Sequence, residues 1–342
     1  MCGIAGFVGD FSPSLLEKMN SIQAHRGPDG SGIFYDPAAC VGLAHRRLAI
    51  IDLSESGSQP MWDETKGLCI VFNGEIFNFR ELRQDLKRDG FRFRSTSDTE
   101  VILQLFRRHG EAMLPKLNGQ FAFALWDAQQ RRMLIARDGM GVKPLYYTMT
   151  QAGLLFASEL KALLCEESVD RGLDMEAIHY YLTYLWSPAP HTMLQSVRKL
   201  RPGHAISIKA GVIEREWCFY RLPYDQPIVS IPPEEAATQV RAAIATAVKR
   251  QMIADVPVGA FLSGGLDSSS VVAFAREYSH AKLQCGDVCF ARLHTRLFAY
   301  KRLSCRAYTW AASLEQRPPV HNDEQDADDP GCPCCSTERR EA

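Results

Sequence analysis

The chain opens Met1-Cys2-Gly3-Ile4, and removal of the initiator methionine would leave a thiol and a free α-amino group on one residue. A cysteine thiol is largely protonated at neutral pH and needs a base before it attacks a carbonyl carbon. An α-amine, with a pKa near ~8, can serve as that base without a histidine or carboxylate partner. Further along, His25-Arg26-Gly27-Pro28-Asp29, His45-Arg46-Arg47-Leu48-Ala49-Ile50-Ile51-Asp52, Asn73-Gly74-Glu75-Ile76 and Ser97-Asp98 supply guanidinium, amide and carboxylate groups. Each has a plainer meaning alone: an Arg after a strand is a solvated charge, Asn-Gly is a hairpin turn, and Asp98 is a helix cap.

A second group, Leu262-Ser263-Gly264-Gly265-Leu266-Asp267-Ser268-Ser269, lies between a strand-like and a helix-like stretch. Backbone N–H groups of a glycine loop at a helix N-terminus cradle anions, and the Ser263 and Ser268 hydroxyls add donors. The Gly-Lys-Ser/Thr ending of the Walker loop is missing.

The elements that must position these groups are readable in part. Ile4 to Val8, Gly32 to Tyr35, Val41 to His45 and Leu68 to Phe72 are short apolar or alternating runs bounded by turn residues, and read as strands. Phe79 to Asp89 and Asp98 to Arg108 read as helices, the second with one buried face of Val101, Leu105 and Arg108 together with Ile102 and Phe106 and a cap at Ser97 or Asp98. Phe121 to Trp126 and Arg132 to Ala136 flank a hairpin signal, and Leu145 to Tyr147 with Leu154 to Ala157 form a similar pair. The proline-rich Leu222 to Pro233 reads as a linker. Beyond it come a helix from Pro233 to about Lys249, a strand at Val256 to Leu262, a loop at Ser263 to Asp267 and a helix from Ser268 to about Tyr278, the opening of an α/β nucleotide-binding unit. From Ala281 to Ala342 no helical or strand period is sustained. That stretch reads either as a disordered tail or as a frameshifted end, the second being favoured because one strand and one helix cannot complete a parallel sheet.

Bulk properties narrow the field. With 342 residues the chain has room for two domains. A net charge of −1 gives no electrostatic reason to expect nucleic acid or an anionic membrane as partner. No run approaches the ~18 apolar residues of a membrane span, and the N-terminus lacks a signal-peptide pattern, so a cytoplasmic location is expected. Eleven scattered cysteines fit a reducing compartment better than a disulfide framework. The Cys332-Pro333-Cys334-Cys335 cluster, with His321 as the one nearby helper, is a weak zinc candidate, because adjacent thiols cannot wrap a tetrahedral ion unaided; no metal site is assigned.

Taken together and in this order, the first set of motifs resembles the glutaminase domain of class II glutamine amidotransferases, the N-terminal-nucleophile enzymes, and most closely that of glutamine-hydrolysing asparagine synthetases. The resemblance covers roughly residues 1 to 200. It implies an α+β N-terminal-nucleophile αββα sandwich over residues 1–209, a linker over 210–232, and over 233–280 the beginning of an α/β ATP-pyrophosphatase domain of the adenine nucleotide α-hydrolase-like type. Residues 281–342 stay unassigned.

Carried onto this sequence, the resemblance makes Cys2 the nucleophile toward the glutamine side-chain amide, with its own amine shuttling the proton. Asn73 and the Gly74 N–H are implied as the oxyanion donors. Arg47 matches the grip on the glutamine α-carboxylate, Glu75 and Asp98 the acceptors for the α-ammonium, and backbone groups of Leu48, Ala49, Ile50 and Ile51 the pocket wall. Arg26 and Asp29 are expected to order a loop nearby. The second set, Leu262 to Ser268, resembles the pyrophosphate loop of ATP pyrophosphatases, which implies ATP, with Mg2+ near Asp267, and aspartate as the ammonia acceptor. A complete synthetase half continues well beyond this loop with a second phosphate-contacting segment and a catalytic lysine, neither of which is matched. The expectation is therefore a truncated synthetase that keeps its glutaminase half. Other amidotransferases sharing the first domain are disfavoured by the pyrophosphate loop, and a non-catalytic or regulatory remnant is the alternative. A homodimer stays open.

Overall fold

A computed structural model describes residues 1–279 and 283–287. Two compact units divide the chain, one built on Met1–Val258 and the other on Gly259–Glu277 with, among the described residues, 283–287.

The strands of the first unit are β1 (Gly3–Gly9), β2 (Gly30–Asp36), β3 (Val41–Arg47), β4 (Met61–Trp62), β5 (Leu68–Ile76), β6 (Gly119–Asp127), β7 (Arg132–Arg137), β8 (Tyr146–Thr150), β9 (Gly153–Ala157), β10 (Val197–Lys199), β11 (His204–Lys209) and β12 (Val212–Cys218). They form two six-stranded sheets, one in the order β10-β8-β9-β1-β3-β2 and the other β12-β11-β7-β6-β5-β4. Every pairing within them is antiparallel. The helices are α1 (Pro13–Ser21), α2 (Phe79–Arg88), α3 (Asp98–His109), α4 (Leu160–Leu163), α5 (Met175–Tyr184) and α6 (Pro233–Gln251).

Side chains alternate across a strand, and here both faces are apolar. Ile4 and Val8 of β1, Val41 and Leu43 of β3, Cys69 and Val71 of β5, and Ala122, Ala124 and Trp126 of β6 meet in one cluster, the seam between the two sheets. The alternate residues Ala5 and Phe7 pack outward with Leu15, Leu16 and Met19 of α1 and Ala162 and Leu163 of α4. On the other sheet, Ile70, Phe72, Phe121 and Phe123 pack outward with Leu86 of α2 and Val101, Ile102 and Leu105 of α3. The result is the four-layer αββα sandwich that the resemblance implies. Strands buried on both faces read as continuous apolar runs, which is why β1 and β6 show no polar alternation.

Asn73-Gly74 is no hairpin turn: it lies inside β5, with Asn73 opposite Ala122 and Gly74 opposite Phe121. A Cβ on Gly74 would meet the Gln120 carbonyl and stand 2.7 Å from Phe121 Cα, so the glycine lets β5 and β6 approach. The cap of α3 is Ser97, whose hydroxyl accepts from the Thr99 N–H, while Asp98 is the first helical residue. The hairpin at 127–131 forms as expected, with Arg131 at φ +52° in its turn.

In the second unit, β13 (Gly259–Leu262) leads through Ser263-Gly264-Gly265 into α7 (Leu266–Tyr278), which begins two residues earlier than expected. A further strand, β14 (Gln284–Asp287), pairs parallel with β13. It falls where the sequence shows no sustained period. Two parallel strands joined through a helix are the opening of an α/β sheet.

Candidate active site

Parity places the reactive groups. Cys2 continues the series of Ile4 and Val8 on β1, Arg47 that of Val41 and Leu43 on β3, and Asn73 and Glu75 that of Cys69 and Val71 on β5. All four belong to the seam-facing sides of the two sheets, at the end where the apolar seam stops. His45 belongs to the same series. It is buried, and its Nε2 donates to the Phe72 carbonyl at 3.1 Å, tying β3 to β5 across the seam. Burial holds this imidazole down at about 3, with the Phe72 carbonyl working against it and Arg47 with it, so the ring is neutral.

A cavity of about 320 Å³ opens here. Its wall holds Cys2, Arg47, Leu48, Ile50, Ile51, Asn73, Gly74, Glu75 and Asp98, together with Met1, Gly57, Gln59, Phe72, Ser97, Thr99 and Lys143. Of the residues expected from the first set of motifs, only Ala49 is not among them. Its N–H donates to Asp29 Oδ2 at 2.9 Å, which fixes the 48–51 segment from behind.

The Cys2 thiol is half-buried and receives the Leu48 N–H at 3.3 Å. Burial pushes its pKa up, and the Leu48 hydrogen bond pulls the other way. The Cys2 carbonyl accepts from Arg26 Nε at 2.9 Å, and Arg26 is itself held by Glu159 at 3.2 Å. Glu159 also meets His25 at 2.8 Å and Lys161 at 3.1 Å. The Cys2 backbone is therefore clamped by a charged cluster that lies outside the cavity wall.

Asn73 is 1% exposed, yet its Nδ2 has no hydrogen-bond partner. A buried amide donor left unpaired costs about 1–3 kcal/mol. Glu75 Oε1 is likewise buried and unpartnered. Burial and the nearby Asp98 push Glu75 up to about 7, opposed by Lys143. Asp98, pushed up to about 6 by burial, accepts from the Ile76 N–H at 2.9 Å. Lys143 is the cation on the same wall that works against the rise at Glu75.

Arg47 Nη1 donates to the Ser54 carbonyl at 2.8 Å, and Nη2 to the Asp52 carbonyl. The turn that receives them is built on the Asp52 carboxylate, which accepts from Ser54 Oγ at 2.5 Å, Ser56 Oγ at 3.1 Å and the Thr96 N–H at 2.7 Å. Burial alone would raise its pKa, but these donors outweigh it and hold the group at about 2.

The glycine loop of the second unit is compact. Ser263 Oγ and Ser268 Oγ lie 3.1 Å apart, Ser268 Oγ donates to the Gly265 carbonyl at 3.1 Å, and Gly264 takes φ +80°, a conformation natural to glycine. The early start of α7 brings Leu266, Asp267 and Ser268 into the helix's first turn. Leu262 ends β13. The cysteine cluster at 332–335 and His321 lie outside the described residues.

The glutamine amidotransferase domain model matches residues 1–219. The chain belongs to the glutamine amidotransferase domain family. The asparagine synthase model matches residues 239–312, a stretch that includes the glycine loop and continues past Tyr278. Asparagine synthetase [glutamine-hydrolyzing] 1 of Bacillus subtilis is 38% identical over 84% of this chain and 46% of its own length. Amidase chry2 of Gibberella zeae is 37% identical over 79% and 42%. A putative asparagine synthetase [glutamine-hydrolyzing] 2 of Methanocaldococcus jannaschii is 35% identical over 82% and 58%. The chain spans about half the length of these curated relatives. Within this amidotransferase chain, Lys143, Gln59, Gly57 and Thr99 are cavity residues that carry no local signal. Lys143 sits in the loop after β7, and Gln59 in the turn before β4, where its Oε1 accepts from the Phe72 N–H at 2.6 Å.

Proposed function

We propose that this cavity hydrolyses the side-chain amide of glutamine. The observation that carries the reading is the orphaned, buried Asn73 amide donor sharing one cavity wall with the Cys2 thiol. After removal of Met1, the α-amine of Cys2 takes the thiol proton and the sulfur attacks the amide carbon. Asn73 Nδ2 and the Gly74 N–H stabilise the oxyanion, a contribution worth several kcal/mol in a dry site. The carbon–nitrogen bond breaks as the ammonium proton passes to the leaving nitrogen, releasing ammonia and leaving a γ-glutamyl thioester. Water then displaces the sulfur, giving glutamate and restoring the thiol. Arg47 holds the substrate α-carboxylate. Glu75 and Asp98 hold its α-ammonium, the cation their raised pKa values call for.

We place the glutaminase domain over residues 1–219, because β12 (Val212–Cys218) pairs with β11 inside its second sheet where a linker from 210 was expected; the linker is then 220–232, and the chain from 233 begins an ATP-using domain that the asparagine synthase model matches over 239–312. In the latter, the loop N–H groups and the Ser263 and Ser268 hydroxyls would hold the phosphates, and Asp267 a Mg2+ ion. When bound, ATP supplies activation of a carboxylate, which by resemblance is aspartate's, for capture of the ammonia. The compact serine-paired loop at the head of α7 supports that fit. A cytoplasmic location follows from the same reading; among the described residues no helix is long and apolar enough to cross a membrane.

Ammonia release from glutamine by the purified chain is expected to fall to background in Cys2→Ala. Intact mass is expected to show Met1 removed, and an active chain that retains Met1 would defeat the amine-as-base step.

A further inference from the structure

The turn beside Arg47 is held from two directions. Its own side contributes the Asp52 carboxylate and its serine and threonine donors. The other hold comes from far along the chain: the Asp255 N–H donates to the Ile50 carbonyl at 2.9 Å, and the Asp255 carboxylate accepts from the Asp52 N–H at 2.8 Å. Asp52 needs such support, because its φ of +55° is a left-handed conformation that L side chains disfavour. Its carbonyl is also the one that receives Arg47 Nη2. Thus Ile50, on the cavity wall, and Asp52, in the turn that receives Arg47, are pinned by a single residue between α6 and β13. Ile253, two residues earlier, packs against the core cluster of the α2–α3 layer and anchors this segment.

We infer that Asp255 is a positioning residue of the glutamine pocket, setting the Arg47 guanidinium through the Ile50–Asp52 turn. The inference rests on the glutamine reading above. Asp255 touches no reacting atom, so its loss alters how the amino-acid end of the substrate is gripped while the Cys2 chemistry stays intact. It is also exposed, so truncation removes no core packing.

The test compares the full chain with Asp255→Ala and Asp255→Asn, measuring glutamine hydrolysis and, separately, alkylation of Cys2 by iodoacetamide, which has no amino-acid end to be gripped. Loss of a carboxylate-to-N–H bond predicts a rise in KM for glutamine of roughly three- to tenfold in the alanine variant. Its kcat and alkylation rate should stay within about twofold of the unaltered chain, since the nucleophile is untouched. Asp255→Asn keeps an acceptor oxygen and should restore KM. An unmoved KM in Asp255→Ala, a fall in kcat or alkylation in step with the KM change, or an asparagine variant as impaired as the alanine one would each overturn the inference. Should Asp255→Ala fail to fold, Asp255→Glu takes its place: its misplaced carboxylate should raise KM, and an unchanged KM would overturn the inference. If the unaltered chain hydrolyses no glutamine, the reading of the pocket falls and this inference with it; hydrolysis with an unmoved KM removes the inference alone.

Discussion

On the proposed glutamine reading, Glu75 and Asp98 set the pH behaviour of the pocket. Their folded pKa values are raised to about 7 and about 6 by burial, so below neutrality they protonate and lose their attraction for an ammonium group. The kcat/KM for glutamine should therefore fall as pH drops through about 7 and then about 6. The bound ammonium favours the carboxylates, so kcat should hold to lower pH than kcat/KM. Glu75→Gln should remove the upper of the two steps, and a profile that keeps it would show that another group titrates there. This behaviour was legible in the sequence only as residue types: Glu75 and Asp98 could be named from motif order, but their protonation depends on seam burial that no local pattern reveals. Lys143 and Gln59 were not legible at all, because loops distant in sequence deliver them.

At the scale of elements, the glycine in β5 links packing to chemistry. Gly74 stands where a Cβ would collide with the β6 backbone. Gly74→Ala should therefore lower stability by about 1–3 kcal/mol, the usual cost of overpacking, and reduce activity further by shifting the Gly74 N–H. Paired denaturant melts and ammonia assays check both, and an alanine variant of unchanged stability would refute the collision. Capped elements such as α3 were legible, since Ser97 and the apolar spacing announce them, although α3 is buried all round from Asp98 to Leu105 and Arg108, expected on its buried face, is exposed. Helix α5 was not: its face is mostly exposed, with Leu182 73% and Tyr184 62% exposed, so no apolar stripe marks it. The hairpin partners β6–β7 and β8–β9 were legible, whereas β10, β11 and β12 were not, and distant pairs such as Ala5 with Ala157 join residues from opposite ends of the domain.

At the scale of the whole sandwich, one neutral histidine spans the seam. The folded His45 pKa of about 3 lies below its ordinary 6.5, so the unfolded chain binds the extra proton first as pH falls. Its contribution is complete above about 6.5 and is lost as pH falls toward 3. Glu75 and Asp98 act in the opposite sense, because raised carboxyl pKa values favour the folded state below about 4 and lose that advantage as pH rises through 7. Denaturant midpoints measured against pH should separate them. The stability difference between the unaltered chain and His45→Gln, whose amide can still donate to Phe72, should be flat above pH 6.5 and move against the unaltered chain below it. A difference that stays flat to pH 4 would mean the imidazole is not buried in neutral form.

Strand β1 is made first and lies between β3 and β9, so it gains its second edge only when residues 153–157 exist to pair with it. At about 5–20 residues per second, that leaves several seconds of synthesis in which the β9 edge of β1 stays open. If Met1 is removed as proposed, the thiol and its amine meet Arg47 through the early β1–β3 pairing, and the sheet around them closes only with the last of these strands.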